Sequence, residues 1–355
     1  LTKTGAVSQL PWQQLLAPYA QPILRRSIIQ LLDSAIPFIL VWLLMLASLE
    51  YAYWLTVLIA LPAAGLLIRL FIIQHDCGHG SFFRSRMAND TLGFVLGVLT
   101  LTPYGYWRKT HAIHHATSGN LDQRDIGDVT TLTVREYLGL SFWKRLGYRI
   151  YRNPLFLFGF GSLYYFIVKH RFPHNLPRSW HREWASVLTT NFVILAVIAG
   201  VCRAVGVQAF LMVQLPITLF ASVAGVWLFY IQHQFEDTYW EKKAAWSFQA
   251  AGLQGSSFYD LPRILHWFTG NIGVHHVHHV CSRIPNYRLL ECLRENPDLQ
   301  QVTHLTFWKS LSCTRLKLWD EEGRRLVGFQ HLRQLRHRSV TPRVAFEVPG
   351  DSTPL

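Results

Sequence analysis

Residues 54–79 read WLTVLIALPAAGLLIRLFIIQHDCGH, and the fold turns on the junction inside that stretch. From 54 to 73 the only charged residue is Arg69, and the run is near the roughly 20 residues with which a helix crosses the hydrocarbon core of a bilayer. His75 and His79 follow at once, four residues apart. On a helix both imidazoles would share one face. A membrane span therefore leads directly into a pair of metal-capable side chains.

A partner run at about 34–50 precedes this span and joins it around Glu50, and a second pair covers about 185–202 and 209–231, joined around Arg203. Each pair reads as a hairpin. Two shorter runs, 92–106 and 154–168, are rich in Gly, Pro and aromatic residues and read as interfacial or re-entrant pieces, with a shallow pair of spans as the alternative. The two outer turns together hold one basic residue, Arg203, whereas 84–182 and the chain beyond Lys242 hold many. By the positive-inside rule both termini and the loop around Lys144 are expected in the cytoplasm of a cell whose inner membrane holds the protein. Residues 1–33, interrupted by Pro11, Pro18 and Pro22, form an amphipathic lead-in; 34–338 form the membrane domain, with a cytoplasmic helical cap after Asn286; 339–355 form a loose tail.

Composition agrees with this division. Half of the 355 residues are hydrophobic, yet mean hydropathy is only +0.16, which suits spans interleaved with a sizeable polar portion. The net charge of +13 suits an anionic membrane face or an acidic protein partner better than nucleic acid, because the basic residues bunch beside the apolar runs. Five scattered cysteines without a Cys-x-x-Cys read as free thiols. The first thirty residues carry no signal-peptide pattern, so insertion is expected to rely on the internal spans.

Among seventeen histidines, spacing is the informative property. His111, His114 and His115 in HAIHH, and His275, His278 and His279 in HHVHH, stand at i, i+3 and i+4. With His75 and His79 they make one cluster on each of three helices, all immediately inside the proposed membrane surface, at spacings suited to metal binding. These eight imidazoles suffice for two metals. The expected fold is an all-α integral membrane protein, with four transmembrane helices in two hairpins and a cytoplasmic helical cap holding a histidine-bound di-metal centre. His276 is rotated about 100° from His275 on a helix and is expected outside the ligand set. His170, His174, His181, His266, His304, His331 and His337 fit no pattern and are read as solvated or structural.

The stretches IIQHDCGHGSFF, KTHAIHHATSGNLD and GNIGVHHVHHVCSRIPNY resemble the three histidine boxes of membrane fatty acid desaturases. RNPLFLFG, GVWLFYIQHQFEDTYW, GSSFYDLP and LWDEE are similar to the bacterial acyl-lipid branch, which acts on phospholipids and glycerolipids. The resemblance runs from about Gln21 to His331. It implies two non-haem irons, activation of O2, and removal of two hydrogens from a lipid acyl chain to leave a cis double bond. It implies the eight box histidines as catalytic ligands and His233, in YIQHQFEDTYW, as a ninth. Metal-bound imidazoles usually donate their second N–H to a carboxylate or carbonyl, and Asp76, Asp125, Asp128, Glu236, Asp237 and Asn271 are near enough in sequence to serve. A hydroxylase is the nearest rival chemistry. A metal transporter is disfavoured by spans almost free of ionisable residues, and a zinc hydrolase by the excess of ligands. No haem, dinucleotide or iron–sulfur motif is present, so an external donor such as ferredoxin or flavodoxin is expected at the basic cytoplasmic face.

Overall fold

The computed structural model describes residues 11–124, 126–173 and 176–334. Asp125, His174, His337, the first ten residues and the 339–355 tail lie outside the described residues. Eight helices organise the site: α1 (Leu24–Ser48), α2 (Tyr53–His79), α3 (Arg86–Leu99), α4 (Tyr104–Thr117), α5 (His181–Val205), α6 (Val207–His233), α7 (His275–Val280) and α8 (Asn286–Glu295). Among the described residues α1, α2, α5 and α6 are long and apolar enough to cross a membrane. They are the two expected hairpins, longer than the apolar runs alone indicated. α1 begins at Leu24, α2 runs on through His79, and α6 ends on His233.

Those extensions place the chemistry. A helix of 27 residues is about 40 Å long at 1.5 Å per residue, against a hydrocarbon thickness of about 30 Å. The last turns of α2 and α6 thus continue past the apolar layer on the same rigid rods that cross it. Gly80 then stops α2. It takes a left-handed conformation (φ 67°), Ser81 N–H donates to Asp76 O (2.9 Å) and Gly80 N–H to Cys77 O (3.0 Å), the paired bonds that close a helix C-terminus.

α2 is the central rod, packed on α1, α3 and α6 and buried over most of its apolar window, whereas α1, α5 and α6 leave most of theirs outside. Leu40, Leu43, Phe192 and Leu195 are exposed there, as side chains solvated by lipid would be. Arg69 does not reach for water as a cation near a span end commonly does. It is buried, with Nε donating to Ser34 Oγ (2.9 Å), Nη1 to Trp267 O and Nη2 paired with Asp33 (3.3 Å). It pins α1 and α2 to the short helix Arg263–Phe268.

The run expected at 92–106 is the end of α3 and the start of α4, two helices joined by a tight reversal. Leu101 has φ 55°, Thr102 N–H donates to Gly97 O (2.7 Å), and a Cβ on Gly97 would lie 2.5 Å from Thr102 O, so only glycine fits. α4 is tied along α5 by Gly105 N–H to Ser186 Oγ (2.9 Å) and Lys109 to Glu183 (3.2 Å). Leu155–Lys169, the other short run, winds as a π-helix at both ends around a single α turn and is too short to count as a span.

The cap is mostly helical but carries short strands that the sequence reading did not anticipate. β1 (Leu132–Thr133), β4 (Leu318–Asp320) and β5 (Arg325–Val327) form one sheet, and β2 (Phe258–Asp260) pairs with β3 (His304–Thr306). β1 runs parallel to β4 with Leu132 opposite Leu318, and β2 runs parallel to β3 with Phe258 opposite His304.

Candidate metal centre

Nine histidines from four elements meet where α2 and α6 end. His75 and His79 ride on the last turns of α2, His111, His114 and His115 on α4, His233 on the last residue of α6, and His275, His278 and His279 on α7. They form two groups. His75, His79, His111, His115 and His278 make one; His114, His233, His275 and His279 make the other, and within each group the ligand atoms lie within 4.8 Å of one another.

No box forms a group by itself. On an α-helix, i and i+4 differ by about 40° in direction, whereas i+3 falls about 60° to the other side of i. His111 and His115 therefore aim at the first group and His114 at the second. α7 divides in the opposite sense, sending His278 to the first group and His275 and His279 to the second.

The tautomers show what the groups are built to hold. His233 Nδ1 faces Gly255 O at 2.9 Å; a carbonyl only accepts, so that nitrogen carries the proton and Nε2 presents a lone pair. His114 Nδ1 likewise donates to Asp128 Oδ1 at 2.5 Å. Yet Nε2 of His114 and Nε2 of His233 face each other at 3.2 Å, and Nε2 of His275 stands 3.0 Å from Nε2 of His233. The opposed lone pairs of His114 and His233 repel unless a cation lies between them. In the first group His111 and His278 each bring Nε2 to 3.1 Å from Nε2 of His115. Adjacent nitrogens on one ion, bound at about 2.0–2.1 Å, have this spacing. His79 Nε2 and His279 Nε2 are buried without a hydrogen-bond partner, as donor atoms directed at a metal are. The residues fit a pair of metal ions.

Burial holds these imidazoles in the ligand form. His111, His115, His275, His278 and His279 are all pushed well below the ordinary histidine pKa, first by desolvation and then by neighbouring histidines that would add like charge. A neutral imidazole at neutral pH is what a metal requires.

The expected partners of the second ring nitrogens divide. Asp76 Oδ1 takes His75 Nδ1 (3.2 Å), while its Oδ2 accepts from the backbone N–H (2.7 Å) and Nδ2 (2.8 Å) of Asn286, which in turn accepts from Gln30 Nε2 on α1 (2.7 Å). Asp128 serves His114. Glu236 does not serve; it is exposed and pairs with Arg325 (3.1 Å). Asp237 is exposed as well. Asn271 does not serve either: α7 starts only at His275, and Asn271 sits in a left-handed turn (φ 58°) with its Nδ2 on Asn286 O (3.2 Å). The carbonyl of Gly255 was missed, since a backbone acceptor leaves no mark in the sequence.

His276 belongs to neither group. It is fully buried, edge-on to Phe258, and desolvation pushes its pKa down to about 3. His170 is buried against Leu101 O (3.4 Å), His266 accepts from Leu261 N–H (3.2 Å), and His331 pairs with Asp320 (3.2 Å); none of these approaches the groups.

A cavity of about 680 Å³ opens beneath the centre. His75 and His111 of the first group and His275 of the second border it, and Phe71, Leu157, Phe160 and Phe229 are among its apolar walls. Along α6 it is lined from Gln214 to Gln232, about 27 Å of helix. Trp107, which also lines it, stacks on the His111 ring at 4.6 Å.

Comparison with known proteins places the geometry in context. The family model described as "Fatty acid desaturase" matches residues 51–310. A fatty acid desaturase of Bacillus subtilis (strain 168) is 44% identical over 333 residues, 94% of each chain. An sn-1 acyl-lipid omega-3 desaturase (ferredoxin) of Nostoc sp. (strain 36) is 27% identical over 72% of each chain. An sn-1 oleoyl-lipid 12-desaturase of Synechocystis sp. is 26% identical over 62% of each.

Proposed function

The chain belongs to the fatty acid desaturase family, and from that premise we propose how its residues carry out oxygen-dependent desaturation of membrane-lipid acyl chains. The two histidine groups at the head of the apolar cavity carry the reading. An acyl chain lies in the cavity, which excludes water from the methylenes beside His75, His111 and His275. Five and four imidazoles bind one iron each, the nine residues being His75, His79, His111, His114, His115, His233, His275, His278 and His279. Iron at these positions supplies, from O2, the oxidising power to break an unactivated C–H bond. Asp76, Asp128 and Gly255 O hold the Nδ1 protons of His75, His114 and His233, so that each ring keeps Nε2 aimed inward.

A cis double bond is the product, and the substrate is a glycerolipid of the bilayer that surrounds the spans. Both termini and the cap face the cytoplasm, and the membrane is the cytoplasmic one. There the basic surface meets an acidic one-electron carrier of the ferredoxin or flavodoxin class; the donor printed for the Nostoc relative supports this choice. Expression in a host with saturated lipids, followed by fatty acid profiling, tests the reading. New monounsaturated chains are expected only when the histidine groups are intact, and a hydroxylated product in their place would overturn it.

A further inference from the structure

Arg152 opens the RNPLFLFG segment and has no role in the chemistry above. Its side chain is completely buried, and the groups it bonds are all uncharged. Nη1 donates to Thr130 O (3.0 Å) and Thr131 Oγ1 (3.1 Å); Nη2 donates to Gln234 Oε1 (2.8 Å), Leu316 O (3.1 Å) and Tyr230 OH (3.5 Å). Burying a permanent charge without a counter-charge is costly, so the arrangement is retained for what the guanidinium holds. Its fork of donors in one plane is something lysine cannot reproduce.

What it holds is the frame of the second histidine group. Thr130 and Thr131 follow closely after Asp128, the acceptor for His114. Gln234 follows His233 directly, and Tyr230 precedes it by one turn. Thr131 Oγ1 and Gln234 also bond each other (3.2 Å), so Arg152 closes a triangle that braces the Asp128 loop against the end of α6. The partner network of the first group runs elsewhere, from His75 through Asp76 and Asn286 to Gln30. We propose that Arg152 is a positioning residue for one metal only, setting the approach of His114 to His233 by bracing Asp128 and Gln234 together.

The inference rests on the two-metal reading, and the test separates the two. Wild-type protein and variants are purified and metal per chain is counted after loading with iron and, separately, with zinc, which histidine sites also accept. Two metals per wild-type chain support the reading, and one or none would remove it irrespective of Arg152. Arg152→Gln is expected to keep about one metal. Arg152→Gln with His114→Ala should keep that same metal, whereas Arg152→Gln with His111→Ala should keep none. Arg152→Lys should rescue poorly. Gln234→Leu, which removes an acceptor and leaves the arginine, should also lower occupancy of the second group alone, and it decides the matter if Arg152→Gln does not fold. Two metals in Gln234→Leu, or equal loss from both groups in the foldable variants, would overturn the proposal.

Discussion

His278 and His279 are neighbours in the chain yet fall in different histidine groups: Nε2 of His278 lies 3.1 Å from Nε2 of His115, while the ring of His279 joins the group of His114, His233 and His275. His278→Ala and His279→Ala should both abolish desaturation, yet deplete different irons. Product analysis alone would not distinguish them. Combining each with His111→Ala should: His278→Ala/His111→Ala retains the second group's metal, and His279→Ala/His111→Ala retains neither. Equal metal content in the two double variants would contradict the division into groups.

Asp128→Asn keeps an oxygen that can accept from His114 Nδ1 but removes the charge from a 2.5 Å contact. Loss of such an outer partner costs roughly 10- to 100-fold in metal affinity or activity. We expect Asp128→Asn within that range and Asp128→Ala at or beyond its upper end. Wild-type affinity in Asp128→Ala would show that the carboxylate does not set the tautomer.

His233→Ala should lose the second iron and the product with it. His276→Ala should keep both irons and much of the activity, because His276 packs on Phe258 outside both groups. Being fully buried, it leaves a cavity on truncation, so thermal stability should fall by about 1–3 kcal/mol. Iron counting with a melting curve on each variant checks both halves. Depleted iron in His276→Ala together with full iron in His233→Ala would reverse the assignment.

Acid should strip the centre cooperatively. The five histidines of α4 and α7 cited above are held well below the ordinary imidazole pKa in the folded protein, against about 6.5 when unfolded. Between those values the unfolded chain binds more protons, so stability rises with pH there. The stability is fully present above about 6.5 and is lost as pH falls below it toward the folded values. Apo-protein melts from pH 8 to pH 5 should fall below pH 6.5 with a slope steeper than one proton, and a flat profile would count against buried neutral rings.

Thr218 lines the cavity on α6, fifteen residues before His233 and so about 22 Å along the helix from it. Thr218→Trp should shorten the space available to the end of an acyl chain. Lipid profiling should show product shifted toward shorter chains, with iron content at the wild-type level. An unchanged distribution of chain lengths would mean that the substrate does not extend that far.

Much of this was legible in the sequence, for reasons that also explain the rest. Apolar runs announced α2 and α6, and the i, i+3, i+4 spacing announced the rings. The extension of α1 back to Leu24 was hidden because Ser27, Gln30, Asp33 and Ser34 are polar, yet they sit on the helix to bond Phe82 O, Asn286 and Arg69. Separation of His114 from His111 and His115 follows from helical angles, but what lies on each side depends on α6 and α7. Nearness in sequence misled for Glu236 and Asn271, because the helix carrying His233 ends before one and the helix carrying His275 begins after the other. Strands of two or three residues are too short to leave a period.

The interleaving of the boxes also imposes a timetable. As the polypeptide grows from its N-terminus, the first group has four of its five imidazoles once His115 has been made, before α5 exists. The second has only His114 at that moment and gains the others at His233, His275 and His279. The first group thus waits on a single late residue, His278, whereas the second waits on three, and neither is complete until residues 278 and 279 have been made.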